Sequence, residues 1–164
     1  MPSEHIVCEL LLLFYGSLAM PEIVLAVGLL SLFSFLSVSL GATTLIVGHS
    51  LLGLGYVIPI LYGRFAELDT SLIEASYDLG ATKRQTFFSI VLPLLAPALV
   101  AAGLLVFIIS LDDFIISFFC AGASVQTLPL YIFAVIRTGA SPMINALSTI
   151  MLLVSSLFVL VFSF

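Results

Sequence analysis

No Asp, Glu, Lys or Arg occurs between Glu22 and Arg64, between Arg84 and Asp112, or from Arg137 onward to Phe164. A helix that crosses the hydrocarbon of a bilayer needs about 20 predominantly apolar residues. The first charge-free stretch is long enough for two such spans, and each of the others for one. With 62% of its residues hydrophobic and 8% charged, the chain cannot furnish the polar surface of a soluble domain. Backbone amides in lipid must be satisfied internally, so the expected fold is all-α: a polytopic membrane helix bundle of about four transmembrane helices. Its solvent is the lipid bilayer.

The charges that remain are mostly acidic. The net charge is −5 and only four residues are basic, which excludes nucleic acid as an expected partner. Cys8 and Cys120 fit no metal or redox spacing and read as small apolar packing residues. The opening MPSEHIVCE carries Glu4 and Glu9 where a secretory leader would be basic, so no leader is expected. The apolar run from Leu10 to Met20 is short for a span and stops at Pro21-Glu22. Residues 1–20 therefore stand apart as an atypical N-terminal segment from a transmembrane domain over 21–164. No internal repeat or low-complexity tract is evident.

The first span is expected from Pro21 to Leu40, with Pro21 in its opening turn. Gly41 to Thr44 reads as a tight hairpin. The second span follows from Leu45 to Gly63, loosened by Gly53, Gly55 and Pro59. A third runs from Ala96 to Cys120. A short helix over Pro129 to Thr138, ended by Gly139, precedes the last span, Met143 to Phe164, for which Ser141-Pro142 supplies N-cap and first turn. Arg64, Lys83 and Arg84 gather in segment 64–95, and Arg137 lies in the connection after the third span. The positive-inside rule puts segment 64–95 in the cytoplasm and the later connection, with Arg137, outside.

Segment 64–95 is too polar to span and too patterned for a loose loop. Within FAELDTSLIEASYDLGATKRQTFFSIVLPLLAP, Ser71 and Glu74 have capping-box spacing and predict a helix start. Gly80 predicts its end. Thr82 and Gln85 repeat the capping-box spacing and open a second helix. Pro93 and Pro97 are expected to set the turn into the membrane. The product is a helix, a glycine turn and a helix at the membrane face, suited to dock into a groove on a partner.

These residues resemble the cytoplasmic signature of binding-protein-dependent ABC permeases: Glu-Ala-Ala, three residues, Gly, nine residues, Ile, one residue, Leu-Pro. Here Glu74, Ala75 and Ser76 are followed by Gly80, Ile90, Leu92 and Pro93 at those spacings, with Ser76 in place of the second Ala. In that family the segment is a coupling helix seated in a cleft of the ATPase subunit, so Glu74, Ala75 and Gly80 would form the contact core. The segments MPEIVLAVGLL, SLDDFIISFF and LPLYIFAVIRTGASPMINALSTI, with the helix containing His49, are similar to the spermidine/putrescine branch.

The resemblance implies a type I ABC importer permease in a bacterial cytoplasmic (inner) membrane. Its partners would be two copies of an ATP-binding subunit, a second permease subunit and an extracytoplasmic solute-binding protein. The chain itself would carry no cofactor and perform no enzymatic step. Iron or a phosphonate are alternative solutes within the family. Members usually have six spans, and the missing ones would precede residue 20. A shortened or frameshifted reading frame, yielding a fragment that inserts without assembling, is the alternative from a different class.

Asp112 and Asp113 fall inside the expected third span. An ionisable group at that depth costs about 2.5–3.5 kcal/mol on insertion scales and marks a functional hypothesis. Ser110, Asp113 and Ser117 would share one helical face as a substrate pathway, with Asp112 about 100° away. Carboxylates beside an aromatic such as Phe114 suit linear cations. Alternatively, the Asp pair caps a broken helix, gates, or pairs with Arg137 or a neighbouring subunit. His49 is expected to be a neutral imidazole satisfied by a neighbouring helix, Glu22 a cap or interface residue, and Arg137 a possible contact for the binding protein. A membrane enzyme is disfavoured: the chain holds no His-Glu-x-x-His, no Gly-x-Ser-x-Gly and no Gly-x-x-x-x-Gly-Lys-Ser/Thr run.

Overall fold

The computed structural model describes residue 16, residues 20–139 and residues 142–163. Cys8, most of the N-terminal segment 1–20 and the expected N-cap Ser141 lie outside the described residues. Within them the chain is helical throughout: α1 (Glu22–Phe35), α2 (Ala42–Ala66), α3 (Thr70–Asp78), α4 (Lys83–Asp112), α5 (Ile115–Cys120), α6 (Leu128–Thr138) and α7 (Pro142–Ser163).

By length and composition, α2 and α4 are the two helices able to cross a membrane among the described residues. The 22 residues of α7 coincide with the expected last span. The first span differs from expectation. α1 stops at Phe35 after 14 residues, about 21 Å of helix, which is short of a bilayer core. Ser37 takes a left-handed φ of 54°, and the Val38 N–H returns to the Phe33 carbonyl at 2.9 Å. That closure ends a helix, and no glycine advertises it in the sequence.

The expected hairpin at Gly41–Thr44 is instead the start of α2. The Thr44 hydroxyl accepts the Gly41 N–H at 2.8 Å and donates across the bundle to the Cys120 carbonyl at 2.7 Å. This buried bond pins the start of α2 to the end of α5. Gly122 completes the corner: its φ is +64°, and a Cβ there would meet the Leu40 carbonyl oxygen at 2.6 Å.

The core lies where α1, α2 and α5 meet. Ala26, Leu29 and Phe33 of α1 pack with Ile116 and Cys120 of α5, and Leu52 of α2 flanks them. Cys120 is thus the small buried packing residue the sequence implied. The face α2 turns inward is made of Thr44, Gly48, Gly53, Gly55 and Pro59. Small residues let helices approach closely in lipid. A Cβ on Gly48 would lie 2.6 Å from Ile116 Cγ2, and one on Gly53 2.8 Å from Val106 Cγ1 of α4.

The expected turn at Pro93 and Pro97 is not made. Both prolines lie within α4, which runs unbroken from Lys83 to Asp112. Regularity is lost just before them, where Phe87–Val91 form a π-turn and the Leu92 N–H bonds the Phe87 carbonyl. Pro93 cannot donate to the preceding turn and its ring crowds that turn's carbonyl, so one widened turn absorbs the conflict.

Candidate functional site

Two regions carry the residues singled out above. The first is α3 with the beginning of α4. Asp69, not Ser71, caps α3: its Oδ1 accepts the Ser71 N–H at 2.9 Å. A short carboxylate one residue before the helix reaches that amide directly, and Glu74 stays exposed. The Ser71 amide and hydroxyl together hold the Asp69 carboxyl below its ordinary range. Gly80 ends the helix as expected. It adopts a φ of +82°, and the Ala81 N–H bonds the Ser76 carbonyl at 3.0 Å.

The second capping box is present: the Thr82 N–H donates to Gln85 Oε1 at 2.9 Å, and the Gln85 N–H to Thr82 Oγ1 at 3.4 Å. Around this turn the surface is unusually apolar for a polar segment. Leu79 is 90% exposed, and Leu72 and Tyr77 are exposed as well. Arg64 pairs with Glu67 at 3.0 Å, and the Arg84 guanidinium lies over the Phe88 ring.

The seven signature residues do not form one surface. Glu74 and Ala75 are exposed on α3. Ser76, Gly80 and Ile90 line a cleft of about 350 Å³ between α3 and α4. Leu92 and Pro93 lie farther along α4, beyond the π-turn, and Pro93 faces a different groove. Ser76 is buried, and its hydroxyl lies 2.8 Å from that of Thr86, a pairing that sequence reasoning did not find.

The second region is the joint after α4. The expected third span through Cys120 is broken: α4 ends at Asp112, Asp113 is extended at φ −68° and ψ 114°, and α5 starts at Ile115. The Asp113 carboxylate explains the break. It accepts the Ile116 N–H at 3.2 Å and the Ser117 N–H at 3.0 Å, satisfying the first turn of α5. Of the alternatives open for the Asp pair, helix capping is what Asp113 does. A third partner comes from α2, His49 Nε2 at 3.2 Å from Asp113 Oδ2. His49 Nδ1 faces the Leu45 carbonyl at 3.0 Å, so both ring nitrogens have partners.

The break dissolves the expected polar stripe. Ser117 is buried beside Asp113, whereas Ser110 lines a separate cavity of about 740 Å³ with His49 and Thr127. Thr127 contributes a buried hydroxyl without a hydrogen-bond partner among the described residues.

Asp112 parts from Asp113 altogether. It is exposed in a groove of about 540 Å³ between α4, α6 and α7, where it is the one charged residue in the described lining. Phe114 and Phe133 stand in the same groove with ring centroids 4.8 Å apart. The Arg137 guanidinium lies over the Phe133 ring, 5.6 Å from its centroid. No cluster of three or more potential metal ligands occurs among the described residues.

A family model described as "binding-protein-dependent transport system inner membrane component" matches residues 10–164. The chain is 44% identical over 135 residues to the spermidine/putrescine transport system permease protein PotC of Haemophilus influenzae, covering 82% of this chain and 52% of that protein. It is 39% identical over 140 residues to PotC of Escherichia coli, covering 85% and 53%. A third relative is the putrescine transport system permease protein PotI of Escherichia coli, 39% identical over 141 residues, covering 82% and 50%. The chain spans about half the length of the curated relatives it matches.

Proposed function

The chain belongs to the binding-protein-dependent transport system inner membrane component family, and from that premise we propose that it forms part of the membrane pathway of an importer for small polyamines. The observation that carries the substrate class is the groove at Asp112. A single carboxylate beside two aromatic rings, in walls that are otherwise apolar, matches a linear cation with methylene spacers. The same groove disfavours an anionic phosphonate, which would meet Asp112 with like charge. The names of the relatives, spermidine/putrescine and putrescine permeases, agree with this chemistry.

Transport would be driven from outside the chain. α3 and the first turns of α4 would face the cytoplasm of a bacterial cell and dock on an ATP-binding subunit, two copies of which serve a pair of permease subunits. The support is the exposed, capped helix–glycine–helix with Leu79 and Tyr77 at its surface. A solute-binding protein would deliver the polyamine at the opposite face. ATP-driven closure of the ATPase pair would rock the spans between inward and outward access.

The test is uptake of labelled spermidine and putrescine in cells stripped of their own polyamine importers, with this chain co-expressed beside its partner subunits. Uptake with the wild type and its loss with Asp112→Asn are expected. Stable insertion without uptake or co-purification of the ATPase would mean that the chain is a fragment that does not assemble. Uptake unaffected by Asp112→Asn would remove Asp112 from the pathway.

A further inference from the structure

We propose that Ser76 is a positioning residue: its hydrogen bond to Thr86 fixes α3 on the first turn of α4, so that the docking element and the membrane helix move as one piece. This rests on the docking role proposed above. The geometry is specific. Ser76 is the seventh of the nine residues of α3, Thr86 ends the first turn of α4, and Gly80 lies between them. Both hydroxyls are buried, at 6% and 3% residue exposure. Their oxygens are 2.8 Å apart.

Each of the two hydroxyls also has a backbone carbonyl within reach. Ser76 Oγ lies 2.7 Å from the Ile73 carbonyl, which can only accept. Each hydroxyl has a backbone carbonyl of its own, so either one can be the donor in the Ser76–Thr86 bond. Thr86 has a second acceptor in reach, the Thr82 carbonyl at 3.2 Å. Removing the Ser76 hydroxyl consequently strands no buried donor: Thr86 turns back to Thr82, and what is lost is the tie between helices. An alanine here, as in the signature, would keep the shape of the turn but remove this tie beside Gly80, where a Cβ would meet nothing within 4 Å.

The experiment uses the assembled transporter and compares solute moved per ATP hydrolysed. Ser76→Ala and Thr86→Val should leave co-purification of the ATPase intact and lower that ratio by about three- to tenfold, the scale of one hydrogen bond. A folding defect would lower transport and hydrolysis together and leave the ratio alone. The exchanged pair, Ser76→Thr with Thr86→Ser, keeps both hydroxyls and should restore it.

Amide exchange of residues 70–81 in the isolated chain in detergent gives a second readout that needs no partner, and Ser76→Ala should accelerate it. An unchanged ratio, or unchanged exchange, overturns the proposal. Gly80→Asp separates the two readings. If that variant still holds the ATPase, docking through α3 is wrong, and the exchange measurement alone decides whether the tie exists.

Discussion

His49 Nε2 and Asp113 Oδ2 meet at 3.2 Å across the bundle, joining the middle of α2 to the break between α4 and α5. The Asp113 side chain is 1% exposed and that of His49 15%. The imidazole completes a set of partners that already includes two backbone amides. A buried carboxylate deprived of one such partner is costly, because nothing in the apolar surroundings replaces it. His49→Ala should therefore destabilise the chain by about 3–5 kcal/mol, the range for breaking a buried pair. Thermal unfolding in detergent measures it, and a double-mutant cycle with Asp113→Asn should give strong non-additivity.

The adjacent acids should behave differently when neutralised. Asp113→Asn replaces a carboxylate that caps α5 and should lower the melting temperature. Asp112→Asn touches a group in an open groove and should leave melting unchanged while weakening polyamine uptake. Measuring both quantities on both variants separates the roles, and equal melting temperatures for the two would contradict the division.

Close approach at Gly48 makes a steric prediction. A Cβ there would sit 2.6 Å from Ile116 Cγ2, inside a fully packed corner. Gly48→Val should cost about 1–3 kcal/mol through overpacking, seen as a lower melting temperature. Gly28, where a Cβ would meet nothing within 4 Å, should accept alanine without that loss.

At Gly80 the restriction is conformational rather than steric. Its φ of +82° costs an ordinary L residue about 1–2 kcal/mol, and Asn less than most. Gly80→Val should weaken retention of the ATPase more than Gly80→Asn, as read by the fraction of ATPase co-purified from membranes.

The Asp69 cap carries a pH dependence. The Ser71 amide and hydroxyl hold its carboxyl below the ordinary carboxylate range, so the native state favours the charged form. The stabilisation is present above the unfolded pKa and is lost as pH falls through the lower folded value. The protection factor of the Ser71 amide should be constant from neutral pH down to the ordinary carboxylate range and decline only below it. Asp69→Asn should remove most of that dependence.

Much of this arrangement was legible beforehand, and the gaps have identifiable causes. Charge-free runs located α2, α4 and α7, because lipid tolerates few charges and the rule acts residue by residue. Gly80 and the Thr82–Gln85 box were readable since each depends on neighbours within four positions. Helix ends set by long-range partners were not. Asp113 breaks its helix with the help of His49 on another element, and no local pattern links the two. The lone ionisable groups in apolar runs were the available hint, since each needs a partner at membrane depth. Ser76 was visible as a departure from a signature, but only the fold brings it to Thr86. Asp69, not Ser71, is the cap because it stands just before the helix, where its carboxylate reaches the free Ser71 amide.

The π-turn at Phe87–Val91 also sets a clock. An extra residue in one turn advances the helix by about 100° relative to a regular α-helix. Below it, α4 presents Thr86 to Ser76; above it, Val106 meets Gly53. The widened turn lies between these two contacts and shifts the phase of one relative to the other. Thr86 and Val106 thereby fasten α3 and α2 to a single rod whose two ends are out of phase.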